Sequence, residues 1–574
     1  METTVSRAEN QLRERISAAV AAVYGEAPAT AFNVEIPADK NNGDYSANAA
    51  FVLAKPLRSA PRKIAEAVAQ AIALDGTYFS RCEVAGPGFL NFFLSPAFYA
   101  DVLLEICAKG GDYGKSDFGA GKKYNVEFVS ANPTGPMHMG NARGGALGDC
   151  LASVLEWAGY DVSREFLVND AGNQIAKFGL SLDIRYQQLI NGEDAIELPE
   201  DSYHGEDIKT LAAAYRAEHG DDLLAADEET RRRTLVAYAL PKNLATMHAA
   251  MEKYRIPYDL WFSETTLHED GELAETLDVL KQNGYTYEKD GALWYKNIAV
   301  QTEMLKEQGK TDAEIEKLEL KDDVLVRQNG NPTYFAADIA YHRNKFVKRG
   351  FDKAIDLWGA DHHGHVARMK GAMRAVGIDP DRLDVVLMQL VNLVQDGTPV
   401  KMSKRTGKAL TLVDLLDEVP IDSVRFLFNM REAGSAIDFD LDQAVRQDNQ
   451  NPVYYCQYAH ARICSILKKL DMNAYAQPSA DELCLLTTDE ERDLIAHLAS
   501  LPGVILAAAA AYDPARITRF ATELATKFHR FYNAQRVAVE DEALRRARTC
   551  LCLCTRDVMK NVLGMMRINA PETM

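Results

Sequence analysis

At 574 residues the chain exceeds what one hydrophobic core ordinarily organises, so roughly three or four domains are expected. With 47% hydrophobic and 26% charged residues it has a globular composition, and no apolar run approaches the roughly 20 residues that span a bilayer. The net charge of −19 excludes indiscriminate binding of polyanions but leaves room for local basic tracks.

Met1 to Tyr24 mixes Arg13, Glu14 and Arg15 with apolar positions at helical spacing and has no compact apolar core before a cleavage site. It reads as a helix, and a cytoplasmic protein without a membrane segment is expected. Residues 1–112 read as a small α+β domain. In it, Phe32 to Ile36 is extended, Asp39 to Asp44 is a polar turn, Ala47 to Leu74 is largely helical, and Gly86-Pro87-Gly88 feeds an alternating strand. Gly110 to Gly121 reads as a linker.

A strand at Tyr124 to Val129, a Pro/Gly loop, a helix from about Asn141 to Gly159 and a strand near Val162 to Val168 form a β-loop-α-β unit. The fold class expected is α/β: a Rossmann-like, doubly wound parallel sheet over 120–440, flanked by the N-terminal α+β domain and a C-terminal all-α helical bundle over 441–574. Residues 190–320, charged and helical in pattern, read as an insertion before the sheet resumes at Ala354 to Trp358 and Val385 to Met388. Apolar residues recur at helical spacing in Tyr454 to Leu470, Glu490 to Ala511, Ile517 to Tyr532 and Glu542 to Met566.

Nine cysteines in so long a chain do not make a disulfide framework. Cys550, Cys552 and Cys554 lie in an amphipathic stretch and are expected to be small core residues, not metal ligands. Asp361-His362-His363-Gly364-His365 has ligand-type residues. Its place after a sheet strand fits a substrate-side loop better, and no metal site is expected.

Two segments carry phosphate chemistry. Asn132-Pro133-Thr134-Gly135-Pro136-Met137-His138-Met139-Gly140-Asn141 follows a strand and opens a helix, where backbone N–H groups and the helix dipole face an anion. Gly140 permits close approach, His138 can donate to phosphate oxygens, and the prolines stiffen the loop. Lys401-Met402-Ser403-Lys404, set between Gly397 and Gly407, reads as a basic loop that closes over triphosphate. Taken alone it is an ordinary solvated charged loop; coupled to the first segment across one sheet, it is a phosphate clamp.

Glu127 to Asp149 fits EFVSANPTGPxHxGxxRGxxxGD nearly unbroken, and with Asn169 to Gln174, Tyr334 to Asp338, Gly359 to His365, Asn451 to Arg462 and the ending Ala570 to Met574 the chain resembles the arginyl-tRNA synthetases of bacterial type over essentially its whole length. The resemblance implies an ATP-dependent ligase that forms an aminoacyl-adenylate with Mg2+ and then charges tRNA(Arg). His138, Lys401 and Lys404 would stabilise the developing charge. Pro136, Gly140, Asn141, Gly359, Asp361, His362, Met402 and Ser403 would place ATP. L-arginine would meet Glu127 and Asp338 through its guanidinium, with Tyr334 beside it, while Ser130 and Asn132 would hold its α-amino and carboxylate groups. The first domain resembles a tRNA-elbow module, with contacts at Tyr45 and Asn48. The last resembles an anticodon module, with Tyr458, His460, Arg462, Tyr532, Arg536 and Met574 facing RNA.

Asn141 replaces the histidine usual at the fourth position of the first motif, and Thr573 stands where the family often has arginine. Asn141 cannot carry a proton charge, which shifts the work to His138 and the loop lysines. A monomer is expected. A cysteinyl synthetase would need a zinc-ligand set, a glutamyl one would need cations where Glu127 and Asp338 stand, and a silent tRNA-binding paralogue would not need His138, Lys401 and Lys404.

Overall fold

The computed structural model describes residues 2–25, 31–400, 410–470, 472 and 475–574. Its centre is a five-stranded, all-parallel sheet whose strands, in chain order, are Lys123–Glu127, Asp161–Val168, Leu260–Ser263, Lys353–Gly359 and Leu383–Met388. Across the sheet the spatial order of those five is fifth, fourth, first, second, third. The winding therefore reverses between Lys123–Glu127 and Lys353–Gly359. In open α/β sheets ligands bind in the crevice at the carboxyl ends of two such strands.

Both faces of the sheet are covered. Along the fourth strand Ala354 points into one core, with Met369, Ala372 and Phe335, while Ile355 and Leu357 point into another, with Val126 and the helix Gly140–Trp157. A parallel strand buried on both sides reads as an almost continuous apolar run, as Ala354 to Trp358 does.

The expected helical insertion is mixed. It contains the helices Glu206–His219 and Glu228–Lys253, but also the strand Leu260–Ser263 of the central sheet. A separate antiparallel sheet is formed by Thr286–Lys289, Ala292–Tyr295 and Asp323–Val326. A four-residue edge strand is too short to show a period against its charged, helical neighbours.

The first domain packs a four-stranded antiparallel sheet against helices that include Thr4–Tyr24 and Pro61–Ala71. Gly43, at φ 83°, sits where a Cβ would lie 2.7 Å from the Phe92 carbonyl oxygen, so this turn needs glycine. Beyond 450 the described residues form helices, chiefly Pro452–Lys469, Asp489–Ala499, Leu501–Ala511, Ala515–Ala534 and Glu542–Met565. Among the described residues no single helix is long and apolar enough to cross a membrane.

Candidate active site

Much of the long motif is packing. Gly148 lies where a Cβ would come within 2.2 Å of the Phe128 ring, so the helix Gly140–Trp157 rests directly on the first strand. Buried Arg143 donates to the carbonyls of Gln389 (2.8 Å), Glu432 (3.0 Å) and Ser435 (2.7 Å), tying that helix to the segments after the fifth strand. Asp149, fully buried, accepts from Arg164 (2.9 Å), Arg567 (2.9 Å) and Arg425. Burial opposes its ionisation, but the three guanidiniums outweigh it and hold the carboxyl below its usual range.

The other part of the motif opens on the crevice. His138 and Gly140 are exposed, Asn141 is half-buried in the first helical turn, and no side chain caps the helix start. A Cβ on Gly140 would meet nothing within 4 Å, which leaves room for a flat ring. Lys401, Met402, Ser403 and Lys404 lie outside the described residues. Their flanks are described, and Val400 and Leu410 line the same cavity of about 330 Å³ as His138, Met139, Gly140 and Asn392. Backbone bonds lock the arrangement: Met139 N–H donates to the Leu410 carbonyl (3.2 Å) and Leu412 N–H to that of Met137 (2.9 Å). The first motif thus meets the two described flanks of the second at one place. Pro136 is exposed on the same loop, Gly359 ends the fourth strand, and Asp361 and His362 are exposed on the turn that follows it.

The expected arginine contacts divide. Glu127 is only 5% exposed, and its carboxylate accepts from Lys345 Nζ (2.6 Å) and Ser130 Oγ (2.8 Å). Lys345 also holds Asp356 (2.8 Å), which takes His342 Nε2 at 2.6 Å. Burial raises the Glu127 carboxyl despite Lys345, while Asp356, with two cationic neighbours, stays ionised. Glu127 is therefore the buried ion-pair partner of Lys345. Ser130 is engaged as well, since its hydroxyl also accepts from Leu167 N–H (3.1 Å). Val129 and Ser130 hold positive φ, 73° and 41°, a strained pair that turns the chain sharply out of the strand.

Tyr334 and Asn132 are exposed and Asp338 is half-buried. Asn132 is exposed in its loop, and Tyr334 is 44% exposed with its hydroxyl accepting from Asn173 N–H (3.0 Å). One turn further along the helix Tyr334–Arg343, Asp338 accepts from His365 Nε2 (3.1 Å), which leaves it carboxylate capacity to spare. His365 in turn accepts from Arg368 (3.0 Å) through Nδ1. Of the three histidines, His365 is thus spent on hydrogen bonding, while His362 and His363 are exposed.

Sequence reasoning missed one residue here. Glu264 follows the strand Leu260–Ser263 at the carboxyl edge of the sheet and is 8% exposed, with no side-chain hydrogen-bond or ion-pair partner among the described residues. Burial, then the charges of Asp338 and Asp170, push its carboxyl up to about 7. Two neighbouring carboxyl groups short of cations suit a guanidinium. An acid directly after a sheet strand is the available signal, hidden because a four-residue strand shows no period.

For RNA, the structure corrects Tyr45 and His460. Tyr45 is 3% exposed, its ring edge-on to Phe79 in the core of the first domain. His460 is 2% exposed and pairs through Nδ1 with the Pro571 carbonyl (2.8 Å), holding down the chain end. The side chain of Asn48, half-buried, accepts from Asn33 N–H (2.9 Å). By contrast, Arg462 lies between the rings of Tyr458 (4.7 Å) and Tyr532 (5.2 Å), both partly exposed. Tyr454 stacks parallel to Tyr458, Arg536 is exposed nearby in sequence to Tyr532, and Met574 shares a cavity of about 340 Å³ with Tyr454 and Gln457.

Three family models cover the chain in order: "Arginyl tRNA synthetase N terminal domain" over residues 10–94, "tRNA synthetases class I (R), catalytic domain" over 103–449, and "DALR anticodon binding domain" over 456–574. The arginine–tRNA ligases of Acetivibrio thermocellus and Ruminiclostridium cellulolyticum are 54% and 53% identical to it, over 94% and 96% of this chain and 93% and 95% of theirs. The solved arginyl-tRNA synthetase of Thermus thermophilus matches with TM-score 0.72, 98% of this chain and 100% of that one being covered; at 22% identity this is a likeness of fold. On the catalytic family model and these identities, the chain belongs to the class I arginyl-tRNA synthetase family, the arginine–tRNA ligases.

Proposed function

We propose that the crevice at the sheet's carboxyl edge activates L-arginine with ATP and that the enzyme passes arginine to the 3′-terminal adenosine of tRNA(Arg). The arginine carboxylate attacks the α-phosphorus, an arginyl-adenylate forms and pyrophosphate leaves. Negative charge grows on the α-phosphate and the leaving group, so the protein's task is to position the reactants and supply preorganised positive charge. His138 and the uncapped helix start provide part of it, and Lys401 and Lys404 provide the rest from a loop whose flanks line the same cavity. Gly140 and Asn141 place the nucleotide, and Mg2+ accompanies the triphosphate as part of the substrate.

Selection of arginine falls to Glu264 and Asp338, with Tyr334 beside them. The observation that carries this reading is the cation-poor pair Glu264–Asp338 at the same sheet edge as the His138 cavity. Tyr458, Arg462, Tyr532, Arg536 and Met574 form the anticodon-facing surface of a cytoplasmic monomer. Domain limits at 1–112, 120–440 and 441–574 fit this division of labour. The test is tRNA charging with each standard amino acid in the presence of ATP. Arginine alone is expected to be charged; charging of another amino acid, or of none, rejects the proposal.

A further inference from the structure

Three thiols far apart in the sequence meet at one point. Cys107 Sγ lies 3.6 Å from Cys550 Sγ and 3.5 Å from Cys554 Sγ. Cys107 sits near the end of the helix Pro96–Lys109, while Cys550 and Cys554 are one turn apart on one face of Glu542–Met565. All three sulfurs fall within 4.8 Å of one another, and among the described residues no other group of His, Cys, Asp and Glu side chains converges in this way. Cys552, between the two helix thiols in sequence, is buried and takes no part.

Three thiolates on a tetrahedral zinc-class ion, at about 2.3 Å each, stand roughly 3.8 Å apart. Two edges of the present triangle are already within a few tenths of an ångström of that spacing. Cys107 reaches solvent whereas the other two are buried, so an ion has a way in and a water molecule can complete the fourth position.

We propose that Cys107, Cys550 and Cys554 form a three-thiolate site for a thiophilic divalent cation of the zinc class, which pins the helix Pro96–Lys109 to the last helix of the chain. The thiol protons pass to the buffer as the ion binds. All-sulfur ligation selects Zn2+ or Cd2+ and rejects Mg2+, which takes oxygen ligands. The site shares no residue with the ATP crevice.

The test uses the reduced, chelator-treated full chain titrated with Cd2+ in thiol-free buffer. One equivalent per chain is expected to develop the ultraviolet thiolate-to-cadmium charge-transfer band, displaced by Zn2+ and not by Mg2+, and to raise the unfolding temperature. Cys107→Ser, which alters a solvent-reaching side chain, should weaken binding at least tenfold, while Cys82→Ser leaves it unchanged. Absence of a stoichiometric band, or Cys107→Ser binding as tightly as the unaltered chain, overturns the proposal.

Discussion

Glu264 and Asp338 bring two carboxyl groups to one corner of the crevice, and burial followed by the charge of Asp338 lifts the Glu264 carboxyl to about 7. The fold arrives at this juxtaposition from two directions. Glu264 comes from the end of a sheet strand, and Asp338 from the first turns of a helix that follows an inserted antiparallel sheet.

The pH dependence of arginine use follows from that shift. From the ordinary glutamate value of 4.5 up to about 7, the folded state holds the Glu264 proton more tightly than the unfolded chain does. Stability contributed by this group is therefore full below 4.5 and lost as pH rises through about 7, by about 3 kcal/mol at most. A bound guanidinium reverses the cost, so arginine should raise the melting temperature more at pH 8 than at pH 5.5. Glu264→Gln should raise the KM for arginine roughly tenfold to a hundredfold in pyrophosphate exchange, because a charged hydrogen bond is lost. An unchanged KM removes Glu264 from the arginine pocket.

Lys345 is fully buried between Glu127 and Asp356. Lys345→Met removes the cation that two buried carboxylates share and should cost about 3–5 kcal/mol in denaturant unfolding. Glu127→Gln, which keeps the shape and removes one charge, should cost less. The reverse ranking would mean that Glu127 acts elsewhere than in this ion pair.

Arg462 is stacked between two partly exposed tyrosines. Arg462→Ala and Tyr458→Ala should each weaken tRNA binding by about 1–3 kcal/mol in direct titration, the range for an aromatic stack on a nucleic-acid base. Tyr45→Phe keeps its ring in the core and should leave tRNA affinity unchanged.

Gly148→Ala puts a methyl group 2.2 Å from the Phe128 ring carbon. Neither the helix nor the strand can move without disturbing the crevice, so about 1–3 kcal/mol of overpacking is expected in urea unfolding, with slower charging. Gly140→Ala meets open space and should leave stability intact, so any loss of exchange activity there reports on the nucleotide.

Much of this was readable from residues alone. The parallel strands Lys123–Glu127 and Asp161–Val168, the helix between them and the C-terminal helices all carry hydrophobic periods long enough to declare themselves. The short strand Leu260–Ser263 did not, because four residues hold no period, and Glu264 was lost with it. Tyr45 and His460, which the motif match would turn towards RNA, are buried for a different reason. A motif records that a residue type recurs at a position, not whether its side chain faces a ligand or the interior.

By itself, then, the sequence determined the kind of chemistry, through His138, Gly140 and the lysine loop, and the order of the three domains. Only the tertiary structure decided how the charges are shared. Lys345 neutralises Glu127 and Asp356, three arginines neutralise Asp149, and Glu264 and Asp338 are left short of cations. It also joined Cys107 to Cys550 and Cys554 across 443 and 447 residues. The physical reason is common to all of these cases. Pairing depends on distance in space and on burial, and neither is carried by the local pattern of the chain.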